Sequence, residues 1–160
     1  MNVHPDCESI AFLLGTWKGA GAGDYPTIQA FRYNEEVTFA HVGKPFLSYS
    51  QKTVAAETGQ PLHAECGYLR GVGSDRVELV VVQPSGIVEL HSGSVAGHAI
   101  ELVLDAVHTT PTAKTVSDVR REIEVQIVDG RASLVYDVSM AAVGTSLTHH
   151  LHAELLRQPS

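Results

Sequence analysis

The 160-residue sequence predicts an all-β fold, a ten-stranded antiparallel β-barrel with one short N-terminal helix. Three observations lead there. Turn residues interrupt the chain at short intervals, in "HVGKPF", "ETGQP", "GVGSD", "QPSG", "VAGH" and "VDGR". Between them apolar and polar residues alternate with period two, as in "REIEVQIV", where Ile123, Val125 and Ile127 share one face. Helical periodicity is confined to the N-terminus. Short connections favour a closed barrel over a sandwich, because each strand can pair with the next and closure leaves no exposed edge. Ten strands enclose more space than side chains fill, so an internal ligand cavity is expected.

The elements follow in order. "DCESIAFLLG" (6–15) has an N-cap candidate in Asp6 or Ser9 and a stop in Gly15, which together predict the helix. Strands are expected near 15–23, 31–42, 46–56, 61–72, 76–82, 86–94, 98–108, 115–128, 131–142 and 146–156. The clearest hairpin is Val128-Asp129-Gly130-Arg131, since Asp-Gly tolerates the positive φ values of a two-residue loop. The nearly continuous apolar run of "DRVELVVVQ" suits a strand buried on both faces. No repeat or linker divides the chain, so 1–160 reads as a single domain.

Charge and composition narrow the partners. A formal net charge of −7 argues against nucleic acid or an anionic membrane surface. No apolar run approaches the roughly 20 residues of a membrane span. The N-terminal "MNVHPDCESIAF" lacks the regions of a secretory signal. Two cysteines, Cys7 and Cys66, do not make a disulfide framework. A reduced, cytoplasmic protein is the expectation.

"GTWKGAG" is the most unusual local pattern. On a strand, Gly15, Trp17, Gly19 and Gly21 lie on one face. Missing side chains there allow close approach of another backbone or a flat ligand, and Trp17 can plug the barrel end. Read without that possibility, the segment is a kinked first strand with a core tryptophan.

Of the nine histidines, His4, His91, His98 and His108 read as structural. His41 and His63 sit between apolar neighbours and would need a partner if buried. The terminal "SLTHHLHAELLRQ" holds three more. Leu147, Leu151, Ala153 and Leu155 form its apolar face, and strict alternation puts His149 with them. His150 would then point outward with His152, unless a bulge intervenes. The i, i+2 spacing of His150 and His152 can grip zinc, but no nearby cysteine or carboxylate of fixed geometry supports a zinc site. No nucleophile motif is present, and alternation splits Glu35 from Glu36, so they form no acid/base dyad.

Several stretches together resemble the nitrobindin family: "FLLGTWKGAGAGDYPTI" (12–28), "HVGKPFLSYSQKT" (41–53), "LHAECGYLR" (62–70) and "HHLHAELLR" (149–157). The resemblance spans almost the whole chain. It implies a barrel of the fatty-acid-binding-protein or lipocalin type holding one haem b with ferric iron. It also implies isomerisation of peroxynitrite to nitrate and binding of nitric oxide. "His-Leu-x-Ala" matches His150 to Ala153 and so selects His150 as the iron ligand and catalytic centre, against the alternation. By the same resemblance His63 lies on the distal side, Lys114 meets a haem propionate and Thr27 belongs to the cofactor site. A largely apolar distal wall and a possible homodimer complete the expectation. Two alternatives stand beside it: a haem carrier or store without catalysis, and a haem-free carrier of a fatty acid or other apolar ligand. The Arg–Arg–Tyr carboxylate clamp of such carriers is not evident, because alternation separates Arg32 from Tyr33 and Arg120 from Arg121.

Overall fold

A computed structural model describes residues 2–159. A 3₁₀ helix, Pro5–Leu13, precedes ten strands: β1 (Gly15–Tyr25), β2 (Ile28–Ala40), β3 (Leu47–Ala55), β4 (Pro61–Val72), β5 (Arg76–Gln83), β6 (Ile87–Ala96), β7 (Ala99–Thr109), β8 (Val116–Val128), β9 (Arg131–Ala142) and β10 (Thr148–Arg157). Each pairs antiparallel with the next, and β1 closes the barrel on β10. The expected strand order and most bounds hold. The exception is β2, which begins three residues early because Pro26 and Thr27 make a tight turn after β1. Asp129 and Gly130 both take positive φ, 50° and 74°, as the Asp-Gly hairpin requires.

The expected short N-terminal helix is present, with a different cap and slightly shifted ends. Its cap is His4, whose Nδ1 accepts from the Asp6 N–H, rather than Asp6 or Ser9. It is 3₁₀ rather than α because its buried residues, Cys7, Ile10 and Leu13, recur every three positions and so eclipse on one side. That side seals one end of the barrel. Trp17, fully buried, donates its indole N–H to Leu13 O at 2.7 Å. The Arg157 guanidinium lies 4.5 Å from the Trp17 ring and donates to Phe12 O.

The glycines of β1 make room for the protein itself. A Cβ at Gly19 would stand 2.1 Å from Glu154 O, and one at Gly21 would stand 2.3 Å from the Tyr33 ring. At Gly19 and Gly21 the close approach expected of "GTWKGAG" is made by the β10 backbone and an internal tyrosine.

The other end of the barrel stays open. The connections β1–β2, β3–β4, β5–β6, β7–β8 and β9–β10 ring it. Along β7 and β8 the pairing covers only Ala99–Val103 against Arg120–Glu124, so the two strands part towards that mouth. Cys7 is buried and Cys66 exposed, and both are free thiols. Among the described residues no helix is long and apolar enough to cross a membrane.

Candidate functional site: a cavity with a bulged rim

The interior holds a cavity of about 370 Å³ that includes His150 and His63 in its wall. His150 gets there through a fault in the β10 ladder. Pairing with β9 runs His149 to Ser139 and then Leu151 to Val138, leaving His150 as the extra residue of a β-bulge. The bulge shifts the alternation by one. His150 and Leu151 both line the cavity, whereas His149 turns out to solvent on the same side as His152. The alternation reading of His149 as the inward imidazole is thus corrected, and the cause is the bulge.

Three contacts hold the His150 ring. Its Nδ1–H donates to the Asp24 carbonyl at 3.0 Å, which leaves Nε2 as the nitrogen with a free lone pair. Tyr25 meets it edge-on at 5.2 Å, and Phe31 at 6.4 Å. Burial pushes the His150 pKa down, so the ring is neutral near pH 7. A neutral imidazole fixed by a hydrogen bond at its other nitrogen is the form that ligates a metal.

The cavity wall divides into two parts. Near the mouth it is mostly apolar, with Phe31, Leu62, Val119, Met140 and Leu151. Further in, buried polar and charged groups are set into a wall that is otherwise largely apolar, as expected. Arg121 reaches across the barrel and donates to Glu65 at 2.7 and 3.1 Å and to Glu89 at 2.8 Å. Tyr49 donates to Glu65 at 2.6 Å, and the fully buried His91 donates from Nε2 to Glu89 at 2.9 Å. Burial alone would raise the Glu65 pKa, but the Arg121 charge outweighs it and holds the carboxyl well below its usual range. Glu89 is lowered too, its burial overcome by the His91 hydrogen bond and Arg121.

A second buried group centres on Glu35. Its Oε2 accepts from Tyr136 at 2.6 Å, Gln51 donates to Oε1, and the Tyr136 and Tyr33 hydroxyls meet at 2.8 Å. Burial raises the Glu35 pKa to about 7, against the pull of both hydrogen bonds. Glu36 points outward to Lys18 and Lys52, so the expected separation of the two carboxylates holds. These internal polar clusters escaped the sequence reading, because their members lie on distant strands. The one available signal was a charged residue at an inward-facing strand position, at Glu35, Glu65, Glu89 and Arg121.

Of the remaining sequence candidates, His63 lines the cavity with its side chain 38% exposed and Nε2 3.5 Å from Glu65 Oε2. Lys114, in the β7–β8 connection, and Thr27, in the β1–β2 turn, are exposed on loops that ring the mouth. Neither lines the cavity.

A closed ten-stranded barrel with an oriented histidine at the mouth of its cavity has the architecture expected of a haem-binding β-barrel. The chain belongs to one such family: residues 6–157 match the family described as the THAP4-like, heme-binding beta-barrel domain, the nitrobindin relationship read from the sequence. It is 53% identical over 161 residues to "Peroxynitrite isomerase 2" of Mycobacterium avium, covering 98% of each chain. It is 46% identical over 159 residues to "Peroxynitrite isomerase" of Nocardia farcinica, covering 97% of this chain and 92% of that one. The crystal structure of Rv2717c from M. tuberculosis superposes with a TM-score of 0.89 at 47% identity, over 99% of this chain and 100% of that one.

Proposed function

We propose that this chain binds one haem b, with ferric iron, through His150 Nε2, and isomerises peroxynitrite to nitrate. The carrying observation is the His150 ring itself: it lines the cavity, Nδ1 is committed to Asp24 O, and Nε2 is left for iron. The names of the relatives in Mycobacterium avium and Nocardia farcinica supply the reaction.

The residues present fit the group. Phe31, Leu62, Val119, Met140 and Leu151 offer an apolar sleeve for a porphyrin near the mouth. Lys114, exposed at that mouth, supplies a cation for a propionate, and Thr27 a hydroxyl on the neighbouring turn. Ferric iron bound on one side by a histidine supplies a Lewis acid for an oxygen of peroxynitrite, and likewise a site for nitric oxide. The chain's own residues do the rest. His150 is kept neutral by burial and oriented by Asp24. His63 lines the same cavity beside Glu65 and would face the bound group, and Glu65 is fixed by Arg121 and Tyr49. The barrel wall would shield the bound anion from bulk solvent.

A fatty-acid carrier is disfavoured by the state of Arg121. It is the inward arginine such a clamp would use, but its charge is already matched by Glu65 and Glu89, which a ligand carboxylate would have to displace.

The test is to add hemin and follow peroxynitrite. The loaded protein is expected to show a stoichiometric Soret band, speed peroxynitrite decay, raise nitrate yield and protect free tyrosine from nitration. Cyanide should suppress this in proportion to its binding. A protein that takes up haem yet decomposes peroxynitrite no faster than buffer is a haem carrier or store.

A further inference from the structure

The buried group around Glu35 takes no part in the proposed haem binding, yet it belongs to the same cavity. Tyr33, Tyr136 and Gln51 all line that cavity. The hydroxyls stand in series: Tyr33 meets Tyr136 at 2.8 Å, and Tyr136 donates to Glu35 Oε2 at 2.6 Å. With its own hydrogen committed to Glu35, Tyr136 accepts from Tyr33. A glutamine at position 35 would satisfy the same hydroxyl with no charge to bury, so stability alone does not call for a carboxylate there. A third cavity tyrosine has similar geometry, since Tyr49 donates to Glu65 at 2.6 Å. The two carboxylates differ as bases. Against its burial, Arg121 holds Glu65 well below the usual carboxylate range, whereas burial raises Glu35, bonded only to the neutral Tyr136 and Gln51, to about 7.

We propose that Tyr136 and Tyr33 form an internal site that consumes nitrogen dioxide, with Glu35 as the base for the phenol proton. The proposal rests on the reading of peroxynitrite as substrate, because its protonated form breaks at the O–O bond into hydroxyl radical and nitrogen dioxide. Nitrogen dioxide in the cavity takes one electron from Tyr136 and leaves as nitrite. The O–H bond of Tyr136 breaks in the same event, and the proton crosses the 2.6 Å hydrogen bond to Glu35. Tyr136 is left as a neutral phenoxyl radical. Tyr33 can pass its hydroxyl hydrogen to that oxygen across 2.8 Å, so the two rings share the radical. A second nitrogen dioxide joins the ring carbon beside the oxygen, and the hydrogen of that carbon moves to the oxygen. Two molecules of nitrogen dioxide thus become one nitrite and one nitrotyrosine, with the proton on Glu35.

Burial and the Glu35 charge push the Tyr136 pKa far above its ordinary value, so no phenolate forms beforehand. A phenol cation left in this interior would be an unpaired buried charge. Loss of the electron therefore needs a base already at the hydroxyl, and Glu35 is a base with no guanidinium on it. Tyr49 lacks that advantage, because Arg121 weakens Glu65 as a proton acceptor. Tyr68 has the opposite setting: it is 52% exposed, and access alone would put the nitration there.

Pulse radiolysis of nitrite solutions supplies nitrogen dioxide to the full chain, without hemin and again with it, at a pH above the Glu35 pKa of about 7. Peptide mass spectrometry then locates the nitrated rings. Tyr136 and Tyr33 together are expected to carry more nitration than Tyr68, after a transient phenoxyl absorption, and Tyr49 less than either. Glu35→Gln should lower nitration of the pair by about tenfold or more, since a positioned base is worth at least that. Tyr136→Phe should spare Tyr33 as well, because it cuts Tyr33 off from Glu35. The haem-free arm depends on neither haem uptake nor isomerisation, so its failure is distinct from a failure of the hemin test. The proposal is overturned if Tyr68 carries most of the nitration in wild type, if Glu35→Gln leaves the share of the pair unchanged, or if Tyr33 is nitrated as readily in Tyr136→Phe.

Discussion

The two ends of this barrel are built for different ends of the stability scale. At the helix end Trp17, Leu13 and Ile10 are fully buried, the indole N–H is paired, and an arginine covers the ring. At the mouth β7 and β8 separate, the loops are polar, and His150 and His63 stand partly exposed. The closed end holds the ring of strands together, and the open end can therefore keep a histidine in a bulge. A site that tolerates an irregular ladder has to be supported from elsewhere.

The largest effect that would sharpen this contrast is at the mouth. His150→Ala is expected to abolish the stoichiometric Soret band while leaving apo stability within about 1 kcal/mol. His149→Ala should keep the band. Loss of haem in His149→Ala, read by the same titration, would mean that the bulge does not persist in solution. At the closed end the order reverses. Trp17→Ala should cost about 3–5 kcal/mol in urea unfolding, as large aromatic truncations do. If it costs no more than His150→Ala, the two ends do not differ as described.

Between the two ends, Glu35 gives a pH signature. Its folded pKa is raised from 4.5 to about 7, so the folded state holds a proton that the unfolded state has lost. Stability from this group is complete below about pH 4.5 and declines as pH rises to about 7, by on the order of 3 kcal/mol. Glu35→Gln should remove that slope, and urea midpoints at pH 5 and 7.5 measure it. A wild-type-to-variant difference that stays constant with pH would show Glu35 ionised throughout. Gln51 Oε1 has no partner in the present arrangement. A flipped amide would accept the proton of neutral Glu35. The smallest effect is expected at Gly21→Ala, where the new methyl meets the Tyr33 ring, about 1–3 kcal/mol.

The strands were legible because Gly, Pro and Asp punctuate them and period two runs between the punctuation. The Asp129-Gly130 turn shows this most directly, as residue type there fixes backbone sign. The bulge at His150 was not legible from pattern. A bulge depends on how β9 and β10 pair, and Thr148 to Leu151 offers no glycine to mark it. Only the family resemblance selected His150. The short helix was legible, but its 3₁₀ form follows from a three-residue burial period, visible in Cys7, Ile10 and Leu13 only once one knows which side is covered. Arg121, Glu65 and Glu89 could not be joined from sequence, since 56 and 32 positions separate the arginine from its partners.

Closure of the barrel by β1 against β10 has a kinetic meaning. Trp17 stands opposite Arg157 and Gly23 opposite Leu151, so the seam joins the most distant parts of the chain. Contacts of such separation form late, after the entropy of a very long loop has been overcome. His150 lies on that closing strand, and its anchor, Asp24 O, lies on the strand it closes against. An unclosed chain has neither the cavity nor an oriented ligand. Uptake of haem during refolding would then report the moment the ring shuts, and the cofactor would act as a latch on the slowest contact of the fold.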